Sequence, residues 1–199
     1  MRLTAELRWF WQGNPPAAFK GWFLGHGPSW AALGDSESRT DRYLRDKDQP
    51  ALGIKKRGGA EGIEIKGLVS RCETILQVAG MSGPVELWTK WSSHSLDVSG
   101  APLVSIKKQR WMRKFEINSG AVAEKSDPHR SSGCDAELTL LEDNATLPWW
   151  TFGFEAFGSL EQVERYLAAT VAVFAERGPP PLAGGEPNSY PGWLASLRD

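Results

Sequence analysis

What most constrains this chain is its punctuation. Turn signals recur at Asn14-Pro15-Pro16, Gly25-His26-Gly27-Pro28, Gly58-Gly59, Ser82-Gly83-Pro84 and Gly100-Ala101-Pro102. Between them, residues alternate in character with a period of two. This predicts strands over 2–11, 41–45, 51–57, 63–70, 73–77, 85–91, 104–116, 134–142 and 150–157. So many short strands point to an antiparallel sheet system, closed or nearly closed. Segments 19–24 and 30–33 read as short helical turns. One longer helix is predicted, with Ser159 as N-cap and Leu160, Val163, Leu167, Val171 and Phe174 at helical spacing. Gly178 and Pro179-Pro180-Pro181 end it. Residues 178–189 read as a linker and 190–197 as a short helix anchored by Trp193 and Leu197. Residues 119–133 read as a polar connection. No internal repeat and no break between two cores is visible, so residues 1–177 form one domain, with 178–199 as its linker and terminal helix.

The strand faces carry more than the fold. In the first strand, Leu3, Leu7, Trp9 and Trp11 lie on one face, and Thr4, Glu6, Arg8 and Phe10 on the other. Later strands repeat the pattern. Leu52 and Ile54 oppose Gly53, Lys55 and Arg57. Ile63 and Ile65 oppose Glu64 and Lys66. Ala136, Leu138 and Leu140 oppose Asp135, Glu137 and Thr139. Phe152, Phe154 and Ala156 oppose Gly153, Glu155 and Phe157. An antiparallel sheet with one solvated face has this appearance. Two details favour a binding surface instead. The polar face mixes Glu with Lys and Arg at central positions, and residues 104–114 hold five basic residues (Lys107, Lys108, Arg110, Arg113, Lys114) and no acid.

Neighbouring strands bearing Lys55, Arg57, Lys66, Lys108 and Arg110 repel one another unless an anion or the glutamates sit between them. Phosphate suits them, because ammonium and guanidinium groups bind it through charge-assisted hydrogen bonds. Carboxylates beside a phosphate site repel the ligand unless a cation intervenes. Mg²⁺ or Mn²⁺ held by Glu6, Glu137 and Glu155 would do so; salt bridges to neighbouring strands are the other reading of these residues. In 104–116 basic residues occur on both faces; Lys107 and Arg113 are expected to point to solvent or to phosphorylated partners, an orientation that periodicity does not settle.

Composition narrows the classes. Lys+Arg number 23 and Asp+Glu 24 over 199 residues, a net charge of −1 that argues against a nucleic-acid surface. Cys72 and Cys134 form no CxxC pair, and His26, His94 and His129 are scattered, so a Cys/His zinc site is excluded. Glu6 and Arg8 interrupt the apolar residues near the start, and no run approaches the ~20 apolar residues of a membrane helix. The expected location is the cytoplasm. Ten tryptophans suit sheet packing or a stacking platform; a tunnel lined by Trp88 and Trp111 would instead suit an apolar or sugar ligand.

The motifs resemble, in order, those of the CYTH domain, or triphosphate tunnel metalloenzyme family. They are Asp41-Arg-Tyr-Leu-Arg45, Leu52-Gly-Ile-Lys-Lys-Arg57, Ile63-Glu-Ile-Lys-Gly67, Lys108-Gln-Arg110, Ala136-Glu-Leu138 and Phe154-Glu-Ala-Phe-Gly158. The resemblance covers residues 2–177. It implies an α+β, mainly β fold: an antiparallel eight-stranded tunnel-like barrel with a few flanking helices and the charged faces inside. It implies binding and metal-dependent hydrolysis of inorganic triphosphate, a nucleoside triphosphate or thiamine triphosphate. Lys55, Arg57, Lys66, Lys108 and Arg110 match phosphate-binding positions; Glu6, Arg8 and Lys66 match catalytic ones; Glu6, Glu137 and Glu155 match metal ligands for Mg²⁺ or Mn²⁺. The chain departs from the pattern at four places: Thr4 replaces a glutamate, Arg8 a lysine, Gly53 a basic residue and Phe157 an acid. Losing two carboxylates weakens a metal site, and this keeps open a binding module of the same fold that does not catalyse.

Overall fold

The computed structural model describes residues 1–25, 30–31, 33, 35–98, 100–118, 120–125, 130–143 and 147–197. Eight strands close into an antiparallel barrel. Around the ring they are β1 (Arg2–Gln12), β5 (Met81–Ser93), β4 (Ile63–Val78), β3 (Leu52–Lys56), β2 (Glu37–Leu44), β6 (Leu103–Asn118), β8 (Gly133–Glu142) and β9 (Trp149–Phe157). β9 returns to β1 along a register running from Thr4↔Phe157 to Gln12↔Trp149. Gly153 permits this closure. A Cβ there would lie 2.7 Å from the Leu7 carbonyl oxygen and 2.8 Å from Arg8 Cβ. Two short strands lie off the ring: β7 (Ala121–Glu124) beside β6, and β10 (Glu186–Pro187) beside β1.

The apolar faces point outward and are covered. Helix α1 (Ala17–Leu24), helix α2 (Val163–Glu176) and the segment running into β10 pack over β1, β8 and β9. Phe174 of α2 meets the rings of Phe115, Phe152 and Phe154. Trp11 stacks on Trp150 with ring centres 4.0 Å apart and donates to the Ala183 carbonyl oxygen at 2.9 Å. Most of the tryptophans are thus packing residues. Trp111 lies outside under Lys20, whose Nζ is 4.8 Å from the ring centre, so it does not line a tunnel.

Several sequence expectations need correction. Segments 63–70 and 73–77 are one strand, β4, with register shifts between Leu68 and Ser70 and between Arg71 and Ile75. α2 starts at Val163, four residues past Ser159, and Leu160 stands exposed outside the apolar stripe. Ser159 takes the turn before the helix, its carbonyl oxygen accepting from the Gln162 and Val163 N–H groups. Trp30, Ala31 and Leu33 are not helical, and Ala32 lies outside the described residues, as do His26, Gly27 and Pro28 of the proposed turn. β7 lies within the connection read as irregular, and β10 within the linker.

The last element is where sequence reasoning reaches least. β1 pairs β5 from Arg2 to Glu6 and β10 at Trp9 and Phe10. The chain then turns inward: Asn188 N–H donates to the Arg8 carbonyl oxygen, and helix α3 (Tyr190–Ser196) starts at Ser189, whose hydroxyl accepts from Gly192 N–H. Trp193 and Leu194 of α3 join Phe10, Tyr43, Ile106 and Leu141 in a second apolar cluster, within the barrel. Trp193 stacks on Phe10 at 5.2 Å. Gly53 leaves room for this helix, since a Cβ would sit 2.9 Å from Pro191 Cγ. α3 fills one end of the barrel and leaves the other as the way in. Trp193→Ala should cost about 3–5 kcal/mol of stability in urea titration, the range for emptying a buried aromatic site.

Candidate functional site

The remaining interior is a cavity of about 720 Å³. Its walls follow from strand parity, since the residues that alternate with the outward apolar ones must face inward once the barrel closes. Lys55, Arg57, Lys66, Lys108 and Arg110 all line it, as do Glu6, Arg8, Glu137 and Glu155. So every candidate residue named from the sequence opens on one space. Nine Lys and Arg side chains line the cavity against five Asp and Glu, an excess of four positive charges. The near-zero net charge of the chain conceals this local field.

Two ion-pair systems organise the walls. In the first, Glu137 accepts from Arg8 at 2.9 Å and from Arg110 at 3.0 Å. Arg110 also pairs with Glu37, and Glu37 with Arg39. Arg39 donates to Asp41 at 3.0 Å. Lys55 lies 3.5 Å from Asp41 and 3.0 Å from Glu64, and Arg57 pairs with Glu64 at 2.8 Å. In the second, Glu6 accepts from Lys66 at 3.0 Å and pairs with Lys90 at 2.8 Å, and Lys90 reaches Glu155 at 2.7 Å. Glu6 stands in register with both Glu86 on β5 and Glu155 on β9. Like charges so placed are destabilising unless cations intervene. Lys66, Lys90 and Arg71, which binds Glu86 at 2.9 Å, supply them.

The ionisation of these groups separates two kinds of lysine. Burial pushes Lys55, Lys66 and Lys108 down, and their carboxylate neighbours do not make up the difference. Lys108 is the extreme case. It is buried, lies 3.9 Å from Asp41 and sits over the Tyr190 ring at 3.6 Å, with Lys55 as a like-charged neighbour. Lys90 goes the other way. Despite burial, Glu155 and Glu6 raise it. Among the acids, burial acts to raise Glu6 and Glu137, yet Lys66 and Lys90 hold Glu6 well below the usual carboxylate range, and Arg8 and Arg110 do the same for Glu137.

The metal expectation needs revision at the level of the donor set. Glu6, Glu137 and Glu155 face one cavity, but each carboxylate is already held by an ammonium or guanidinium group. Among the described residues no three His, Cys, Asp or Glu side chains gather to hold a metal ion. The residues present do not fit a resident divalent cation, which would have to displace Lys66, Lys90, Arg8 or Arg110.

Both undecided basic residues have clear places. Lys107 is exposed and pairs with Glu142. Arg113 is buried on the outer side, where it donates to the carbonyl oxygens of Phe23 and Gly25 at 2.8 and 2.7 Å and pairs with Glu124 at 2.6 Å. It ties α1 to β6 and faces neither solvent nor a phosphorylated partner. Sequence reasoning missed Lys90, Arg39 and Tyr190. Lys90 was legible in principle, since Glu86, Trp88 and Lys90 share one parity on β5. Arg39 precedes the expected start of its strand, and Tyr190 comes from the far end of the chain.

Two outcomes follow. Lys108→Met should raise the unfolding midpoint, because an apolar chain of similar length avoids the cost of a poorly paired buried ammonium; thermal denaturation reads this. The depressed acids also give a sign for pH. Carboxylates held below their unfolded values contribute stability that is complete above about pH 4.5 and is lost as pH falls below it. Urea midpoints between pH 6 and pH 3 should fall steeply, and Glu6→Gln should flatten the slope.

No family model and no curated protein matches the chain. Among solved structures it is similar to the S. pombe Pct1 RNA triphosphatase in complex with the Spt5 CTD, with 12% sequence identity, 90% of this chain and 79% of that chain covered, and a TM-score of 0.47.

Proposed function

We propose that the chain binds the triphosphate group of a small molecule inside the barrel: inorganic triphosphate, a nucleoside triphosphate or thiamine triphosphate. The observation that carries this reading is the set of under-compensated lysines, Lys55, Lys66 and Lys108, lining one cavity in which Lys and Arg outnumber Asp and Glu. Buried cations whose carboxylate neighbours do not offset the cost of burial are destabilising, and an anion entering beside them completes the set. Arg57 and Arg110 add planar forks that match phosphate oxygens. With α3 across one end, the ligand enters phosphate first from the other. The ring or head group stays toward the opening.

Hydrolysis is the second reading. The observation favouring it is Glu155, 32% exposed at its side chain and facing the same cavity beside Lys90. A water held there would give a proton to Glu155 and attack the terminal phosphorus as the bond to the bridging oxygen breaks, releasing phosphate and the shortened phosphate chain; the developing charge falls to Lys66 and Arg8, with Glu6 fixing Lys66 in place. No divalent ion is needed for those contacts.

Thermal shift with tripolyphosphate, ATP and thiamine triphosphate, against sulfate as control, tests the binding claim. At a concentration 100 times Kd a ligand stabilises by about 2.7 kcal/mol. Wild type should shift by several degrees, and Lys55→Ala/Arg57→Ala should lose most of the shift. Failure of all three phosphates to move the midpoint overturns the reading. Phosphate release no greater than that of Lys66→Ala removes hydrolysis and leaves binding.

A further inference from the structure

We infer that the Lys90 ammonium stands where a divalent cation would otherwise bridge Glu6 and Glu155, so that the cavity takes a triphosphate group free of metal. The inference rests on the triphosphate reading above and says in what form the ligand arrives.

The geometry is specific. Lys90 Nζ lies 2.8 Å from Glu6 Oε1 and 2.7 Å from Glu155 Oε1, and so bridges carboxylates from two neighbouring strands. These are two of the three acids that the resemblance assigns to metal. The second oxygen of Glu6 is taken by Lys66 at 3.0 Å. An incoming Mg²⁺ would meet a bridging position already filled by a charged group, inside walls already rich in positive charge. Removing that ammonium to admit the ion leaves a lysine without its two carboxylates. Contact with acids divides the lysines the same way: Lys108 reaches only Asp41, at 3.9 Å, and Lys66 one carboxylate, Glu6, whereas Lys90 is held at short range by two.

Charge matching points the same way. A triphosphate ester carries about four negative charges at neutral pH, one on each phosphoryl group and a second on the terminal one, whose last proton has a pKa of about 6. The cavity wall stays positive even when Glu37 and Asp41, paired to its cations, are counted with the acids that line it. A magnesium chelate brings two of those charges already neutralised and matches the wall less well.

The test uses the whole chain with inorganic tripolyphosphate as the anion and Mn²⁺ as the metal. Calorimetry should give a wild-type affinity in EDTA at least as tight as in excess Mg²⁺. Electron paramagnetic resonance should show no Mn²⁺ bound to the protein alone. Lys90→Gln exposes Glu6 and Glu155 to the ligand. Its affinity for tripolyphosphate in EDTA should fall at least ten-fold, Mn²⁺ should restore it, and the variant alone should now bind Mn²⁺. Lys90→Arg keeps the charge and should behave as wild type in EDTA. If wild type binds tripolyphosphate only with metal, or Lys90→Gln keeps its affinity in EDTA, the role of Lys90 is overturned while triphosphate binding stands. If wild type binds tripolyphosphate under neither condition, the functional reading itself fails. Should Lys90→Gln not fold by circular dichroism, the wild-type comparison with and without metal and the Mn²⁺ spectrum still decide.

Discussion

Everything inside this protein depends on the pairing of β1 with β9. Until those strands meet, the face bearing Glu6 and Arg8 belongs to an open sheet and is wet on one side. Their register, from Thr4↔Phe157 to Gln12↔Trp149, turns that face into a wall. Closure then decides the electrostatics. Nine cations and five acids share one cavity, and those buried deepest in it, such as Glu6, Arg8 and Lys108, interact more strongly than charges on a surface. The apolar faces are forced outward by the same event, and this is why α1, α2 and the segment before β10 are needed to cover them.

The pairing of charges is uneven from residue to residue. Asp41 is fully buried and answers Arg39, Lys55 and, at a longer distance, Lys108. Arg39 and Lys55 have second partners in Glu37 and Glu64, whereas Lys108 has Asp41 alone among the carboxylates, at 3.9 Å. Glu137 and the Glu6–Glu155 pair are different, since each is fully answered from within the chain. Lys108 is thus the least paired lysine of the wall, while Glu6 and Glu137 are each held by two cations.

Much of this was written in the sequence in a form that admits two meanings. Period-two alternation put a segment in each of the eight barrel strands, though it split β4 and missed the first half of β2, and it sorted the face of Glu6 and Arg8 from that of Leu7 and Trp9, because a shift by one residue would expose the apolar set. Alternation does not say whether the charged face looks at bulk water or at a cavity, and closure is a property of strands far apart in the chain. Arg113 shows the limit. It sits on the outward face, where its neighbours Trp111 and Phe115 gave no hint that backbone carbonyls of α1 would surround its guanidinium. The site of α3 could not be read at all, because nothing local in Tyr190–Ser196 distinguishes a helix resting on a surface from one entering a barrel. Gly53 carried the only trace, a small residue at an inward position.

The path of the chain into α3 has a consequence for how the molecule comes into being. The first strand closes the ring with the last, and the helix that occupies the interior is made later than either. Contacts this distant in sequence form slowly, since the intervening loop must be ordered before they reward it. While the chain is being synthesised, β1 has β5 as its earliest partner, and its other edge stays bare until β9 appears. An unpaired edge of that length invites pairing with other chains. The alternating charges on its inward face then serve a second purpose, keeping half-finished barrels soluble and apart until the final strand and the inserted helix arrive.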